Sequence, residues 1–162
     1  PCPCGYYNHP EKDCSCPPGT VGKYLNKISG PLLDRIDLHV EVTPVSFDQI
    51  ASTRKNETSA EIRERVIKAR EIQTKRFENY SEIHSNAMMP PEMVKEICDI
   101  GDAGKALLKK AMERLGLSAR AYDRILKVSR TIADLAGTEE IRIEHLAEAI
   151  QYRSLDRENW AG

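Results

Sequence analysis

The chain lacks an apolar run of the roughly 18 residues that a membrane-spanning helix needs. It also lacks a G-x-x-x-x-G-K-S/T loop, so it carries no phosphate cradle of its own. No aliphatic run ends in two acids to hold a magnesium ion, and neither H-E-x-x-H nor a Ser/His/Asp arrangement is present. The scattered His9, His39, His84 and His145 read as structural or exposed rather than catalytic. Residues 1–20 contain no apolar h-region, so this stretch is not expected to be a secretory signal peptide. The first residue is Pro1 rather than Met, so the chain is expected to begin inside a longer protein. Net charge is −1, so bulk charge gives no argument for nucleic acid, although local charge still can. The expected setting is cytoplasmic, with no membrane partner.

Cysteine, in contrast, is concentrated. Of five cysteines, four fall in the first sixteen residues as two C-x-C pairs, Cys2-Pro-Cys4 and Cys14-Ser-Cys16. Four thiolates are the number a tetrahedral structural zinc requires, but one intervening residue is tighter than the usual knuckle spacing. His9 is an alternative ligand, and free thiols or a disulfide formed on purification are the bland readings. Cys98 stands alone on a helical stretch and is expected to be a small buried apolar residue.

Pattern divides the chain near Pro44. Before it lie a Pro/Gly-punctuated loop, a short helix over 21–29 and a break at Gly30-Pro31. Ile36, Leu38, Val40 and Val42 then alternate with polar residues, which predicts one strand over 36–42 ended by Pro44. A single strand cannot stand alone, so a sheet is expected upstream. After Pro44 the chain reads helical. Thr58-Ser-Ala-Glu61 fits a capping box opening a helix over 59–80, with Ile62, Val66, Ala69, Gln73 and Phe77 on one face. Further helices are expected from Pro91 to about Ile100, from an Asp102 cap to Gly116, from a Ser118 cap to about Leu135, and over 144–152. The tail, 154–162, is expected to fray.

Two arginine segments offer chemistry. In Ile28-Ser-Gly-Pro-Leu-Leu-Asp-Arg-Ile-Asp-Leu38, Arg35 stands just before the expected strand, where its permanently charged fork suits a phosphate group. The bland reading is a surface ion pair with Asp34 or Asp37. In Leu117-Ser-Ala-Arg-Ala-Tyr-Asp-Arg-Ile-Leu126, the residues Arg120, Arg124 and Lys127 form one basic stripe with Arg130 beside it. Tyr122, Ile125, Val128 and Ile132 form the apolar stripe. Over Lys105–Arg130 eight bases face two acids, a local charge of plus six. The stripe suits a phosphate at a helix start or a solvated helix face. No aromatics are interleaved to stack nucleic-acid bases.

These segments, in this order, resemble the bacterial magnesium-chelatase-like proteins, the YifB/ComM competence group. Pro1-Cys-Pro-Cys-Gly5, Ile28 to His39, Gly116 to Leu126 and Thr131-Ile-Ala-Asp-Leu-Ala-Gly137 carry the likeness, which covers nearly the whole chain. The resemblance implies the C-terminal part of a ring-forming AAA+ ATPase, a hexamer, that uses ATP and Mg2+. It implies that Arg35 is an arginine finger acting in trans on a neighbour's ATP. It makes Arg120 the sensor-2 arginine, with Arg124 in support. DNA is the implied partner, through ATP-driven remodelling such as helicase or branch-migration work in natural transformation. The implied fold is mainly α: a helical lid bundle behind a Cys-rich loop and one orphan strand of a truncated α/β core. The expected parts are residues 1–44 from that core, a connector over 45–90 with the long helix, and the lid over 91–162. Without the upstream nucleotide-binding motifs, this piece alone is expected to be inactive. The alternatives are a non-enzymatic helical interaction or nucleic-acid-binding module with a zinc knuckle, and the motor subunit of a metal chelatase.

Overall fold

In the computed structural model the described residues are 2–40, 42, 44–45, 47–51 and 56–153; the expected tail at 154–162 lies outside them. The architecture is mainly α. Three short helices come first: α1 (Thr20–Leu25), α2 (Gly30–Leu33) and α3 (Phe47–Ala51). The long helix α4 (Ser59–Arg76) follows, then a 3-10 turn at Asn86–Met88, α5 (Pro91–Ile97), α6 (Gly101–Leu115), α7 (Ala119–Leu135) and α8 (Ile143–Gln151).

Local chemistry explains most of these boundaries. The Thr58 hydroxyl accepts from the Glu61 amide, and the Glu61 carboxylate accepts from the Thr58 amide, so two orphan donors at the start of α4 are satisfied reciprocally. Ser118 caps α7 by accepting from the Ala121 amide. Gly116 ends α6 in the left-handed region at φ 59, a conformation that costs a side-chain-bearing residue dearly.

Several boundaries differ from the expectations. Gly30-Pro31 does not break the chain but opens α2, because proline suits the first turn of a helix. Helix α4 stops at Arg76, with Phe77 turned out of helical geometry, rather than running to 80. Asp102 lies in the first turn of α6, and Ile100 holds the cap position.

The expected strand over 36–42 is not formed. Among the described residues no strand occurs, and Glu41 lies outside them. Ile36, Leu38, Val40 and Val42 are exposed at 40%, 48%, 63% and 87%, while the polar His39 between them is buried. The period-two pattern is present, but without a neighbouring strand there is no ladder to complete and no sheet face to cover the aliphatics.

The bundle is built around α7, which packs on α8, α4, α5 and the 3-10 turn, while α6 packs on α8. Its core joins Phe77, Met89, Val94, Leu108, Ile125, Leu126, Ala133 and Leu146, and includes Cys98. Cys98 thus has the expected role, and burial pushes its thiol up to about 11. Gly104 lets α6 close on this core, since an added Cβ would stand 2.8 Å from the Ile100 Cβ and 3.4 Å from Leu146. Gly104→Ala is expected to destabilise the bundle by about 1–3 kcal/mol through overpacking. Urea unfolding checks it; an unchanged midpoint contradicts the close approach.

A polar knot fastens α4 to α7. Asp134, fully buried, accepts from both ends of the Arg76 guanidinium at 2.5 and 2.7 Å, from Arg130 Nε at 3.1 Å and from Asn86 Nδ2 at 2.7 Å. Arg130 is also buried, and its remaining donors reach the carbonyls of Thr138 and Glu139. Arg130 therefore does not lie beside an exposed basic stripe. It is a structural cation that ties the loop after α7 to the helix itself. Burying the Arg130 guanidinium is tolerable because each of its three nitrogens donates to an oxygen and Asp134 supplies the countercharge.

Candidate functional site

Two places bring chemically capable side chains together. At the N-terminal end, residues 2–5 form a tight turn in which the Gly5 amide donates to the Cys2 carbonyl at 3.0 Å, with Gly5 at φ 81. That reversal returns Cys4 toward Cys2, and their sulfurs stand 3.3 Å apart. Cys14 Sγ lies 3.8 Å from Cys2 and 3.5 Å from Cys4, and all four sulfurs, with Cys16, fall within 4.8 Å of one another. A tetrahedron with Zn–S bonds of about 2.3 Å has edges of about 3.8 Å, so the four thiols fit a metal of that size. The Tyr7 amide donates to Cys2 Sγ at 3.3 Å. The backbone N–H of Tyr6 is the largest influence lowering the Cys4 thiol, to about 5. His9, the alternative ligand, is outside the cluster. Its Nδ1 accepts from the Glu11 amide at 3.1 Å, and its ring lies edge-on to Tyr6.

The second place is a cavity of about 590 Å³ between the start of α7, the end of α8 and the segment after α2. Arg120, Arg124 and Lys127 line it along α7, as their spacing requires. Asp37, Asp123 and Glu148 stand among them, and Val128, Ile132, Leu135 and Tyr152 supply an apolar wall. The three bases are not equivalent. Arg124 is ion-paired with Asp37, and Lys127 donates to the Ala87 carbonyl at 3.0 Å. Arg120, exposed in the first turn of α7, has no ion-pair partner among the described residues.

Arg35 is exposed just beyond α2, and its guanidinium donates to the Pro31 carbonyl at 2.7 Å. The ion pair that would have tied it to Asp34 or Asp37 is not how those acids are used. Asp37 goes to Arg124, and Asp34 lies 4.0 Å from Arg153. Arg153, whose side chain is 1% exposed, donates to the Ile36 carbonyl, and the His39 amide donates to the Tyr152 carbonyl at 2.8 Å. Residues 34–39 are thereby laced onto the end of α8 and the cavity mouth. Tyr152 and Arg153 escaped the sequence reading, because nothing in a terminal Tyr-Arg pair signals a partner more than a hundred residues earlier.

Comparison with known proteins gives a consistent result. The family model described as magnesium chelatase, subunit ChlI C-terminal, matches residues 56–153, and that described as magnesium chelatase, subunit ChlI, matches residues 1–50. The competence protein ComM of Haemophilus influenzae is 44% identical over 158 residues, which is 97% of this chain and 30% of that protein. The YifB protein of Escherichia coli is 38% identical over 159 residues, again 97% of this chain and 30% of the relative. A Mycobacterium tuberculosis relative is 34% identical over 153 residues, 94% of this chain and 30% of its own length. The chain thus spans about 30% of the length of the curated relatives it matches.

Proposed function

Since the chain belongs to the magnesium chelatase ChlI family, we propose that it is the C-terminal part of a ring-forming AAA+ ATPase that remodels DNA. In this reading the helices from Pro91 onward are the lid, and the intact protein supplies the phosphate cradle that this stretch does not contain. ATP with Mg2+ is the fuel, and the four clustered thiols hold a structural Zn2+. The partners are other copies of the protein, six in a ring, and DNA. The name of one relative, competence protein ComM, fits the natural-transformation setting of this proposal.

The observation that carries the reading is the uncommitted Arg120. A cation in the first turn of a 17-residue helix adds its charge to unpaired backbone N–H groups, which suits a phosphate. Its neighbours on the stripe are already spent on Asp37 and Ala87. Arg35 belongs to the segment laced to the mouth of the same cavity, and its exposed guanidinium can reach beyond its own subunit. An arginine of this kind suits a role at a neighbour's nucleotide, where such a group neutralises charge on the transferring phosphoryl.

DNA dependence is tested by measuring ATP hydrolysis by the intact protein without DNA, with single strands and with branched duplexes. The expected result is hydrolysis that rises with DNA, most with the structure that the ring remodels. Hydrolysis indifferent to every DNA leaves an ATPase with another substrate, such as a chelatase motor. No hydrolysis at all favours the non-enzymatic interaction module.

A further inference from the structure

The arginine segment reaches the cavity from a part of the chain with almost no core. Of the described residues in 2–40, only Cys2, Leu25, Leu33 and His39 are buried. A stretch with so little buried surface of its own is held by a metal, by disulfides or by a partner surface, and the rest of the longer protein counts as such a surface. The five cysteines of the whole chain are free thiols, so disulfides do not supply the constraint. What the segment does have is the four-sulfur cluster at one end and the lacing of residues 34–39 to α8 at the other.

From this we infer that Zn2+ on Cys2, Cys4, Cys14 and Cys16 is the folding element of residues 2–40, and that it fixes the base from which the Arg35 segment reaches the cavity. The inference rests on the zinc assignment made above and is independent of nucleotide hydrolysis. Each thiol gives up its proton as it takes the metal. The turn at Gly5 and the Tyr7 amide on Cys2 Sγ are the supporting features of a thiolate site, since the first brings two sulfurs together and the second hydrogen-bonds one of them. Once residues 2–16 are knotted, α1 and α2 follow directly in the chain, and Leu25 and Leu33 are the apolar residues buried along that stretch. His9 takes no part, because it lies outside the group of four sulfurs.

The test uses the full-length protein and has two separate readouts. Metal content and a Co2+ titration report the site. The expected result is about one metal per chain and the intense visible spectrum of a tetrahedral tetrathiolate, unchanged in His9→Ala. Cys4→Ser and Cys14→Ser are expected to weaken binding by more than the roughly 10–100-fold that follows loss of an outer partner. Hydrogen exchange before and after chelation reports the folding role. Amides in 2–40 are expected to exchange much faster without metal, while those of α6, α7 and α8 keep their protection. Absence of stoichiometric metal, or a cobalt spectrum without thiolate character, overturns the site. Tight metal binding with unchanged exchange in 2–40 overturns the folding role and leaves the site standing.

Discussion

Asp134→Ala is expected to unfold the helical bundle or bring it to the edge of unfolding. The carboxylate is fully buried and receives Arg76 in a two-pronged grip, Arg130 Nε and Asn86 Nδ2. Its removal leaves the buried Arg130 and the partly exposed Arg76 side by side with no countercharge. Breaking a buried pair from one side costs about 3–5 kcal/mol, against a total domain stability of about 5–15 kcal/mol. The same substitution releases Asn86, whose amide nitrogen also holds Thr131 and whose backbone N–H is held by Gln73. The loss therefore spreads from α7 to α4 and the 3-10 turn. Denaturant unfolding followed by circular dichroism measures it. Asp134→Asn keeps the shape and part of the hydrogen bonding, so it is expected to lie between wild type and Asp134→Ala. A midpoint for Asp134→Ala within error of wild type contradicts the account of the knot.

Half of this knot was legible. Arg130 and Asp134 are four apart on a helix, a spacing that places them side by side. The sequence reading set Arg130 beside a basic stripe instead, because nothing local distinguishes an arginine facing solvent from one facing a buried acid. Arg76 and Asp134 are 58 residues apart, and only the packing of α4 on α7 brings them together. Capping was easier. Thr58, Glu61 and Ser118 act on amides within three residues, so their chemistry is written in adjacent letters. The strand over 36–42 shows the converse. Its alternation is real, but alternation states only what a strand would bury, and a strand forms when another supplies the hydrogen bonds. The cysteine cluster was visible as a count and a spacing. What spacing did not convey was the turn at Gly5 that brings Cys2 and Cys4 to 3.3 Å despite one intervening residue.

The second large effect concerns the arginines. Arg35 and Arg120 are both exposed, so truncating either leaves the core, the knot and the thiol cluster untouched. Their removal is expected to cost activity and not stability. An arginine finger contributes about 10³–10⁵-fold to phosphoryl transfer, and one preorganised donor on developing charge contributes about 10²–10³-fold. Arg35→Ala is therefore expected to reduce turnover at least as severely as Arg120→Ala. Arg124→Ala is expected to have a different signature. It breaks the pair with Asp37 and loosens the tie between residues 34–39 and α7, so it disturbs the placement of Arg35 without removing a charge already free for phosphate.

The most direct measurement is steady-state ATP hydrolysis by the intact protein as wild type, Arg35→Ala and Arg120→Ala, each checked for unchanged unfolding midpoint and ring assembly. The account predicts hydrolysis by the wild type, with loss of about 10²-fold or more in both variants while fold and assembly are retained. Hydrolysis that survives both substitutions contradicts it, because the two arginines would then have no part in handling the phosphates.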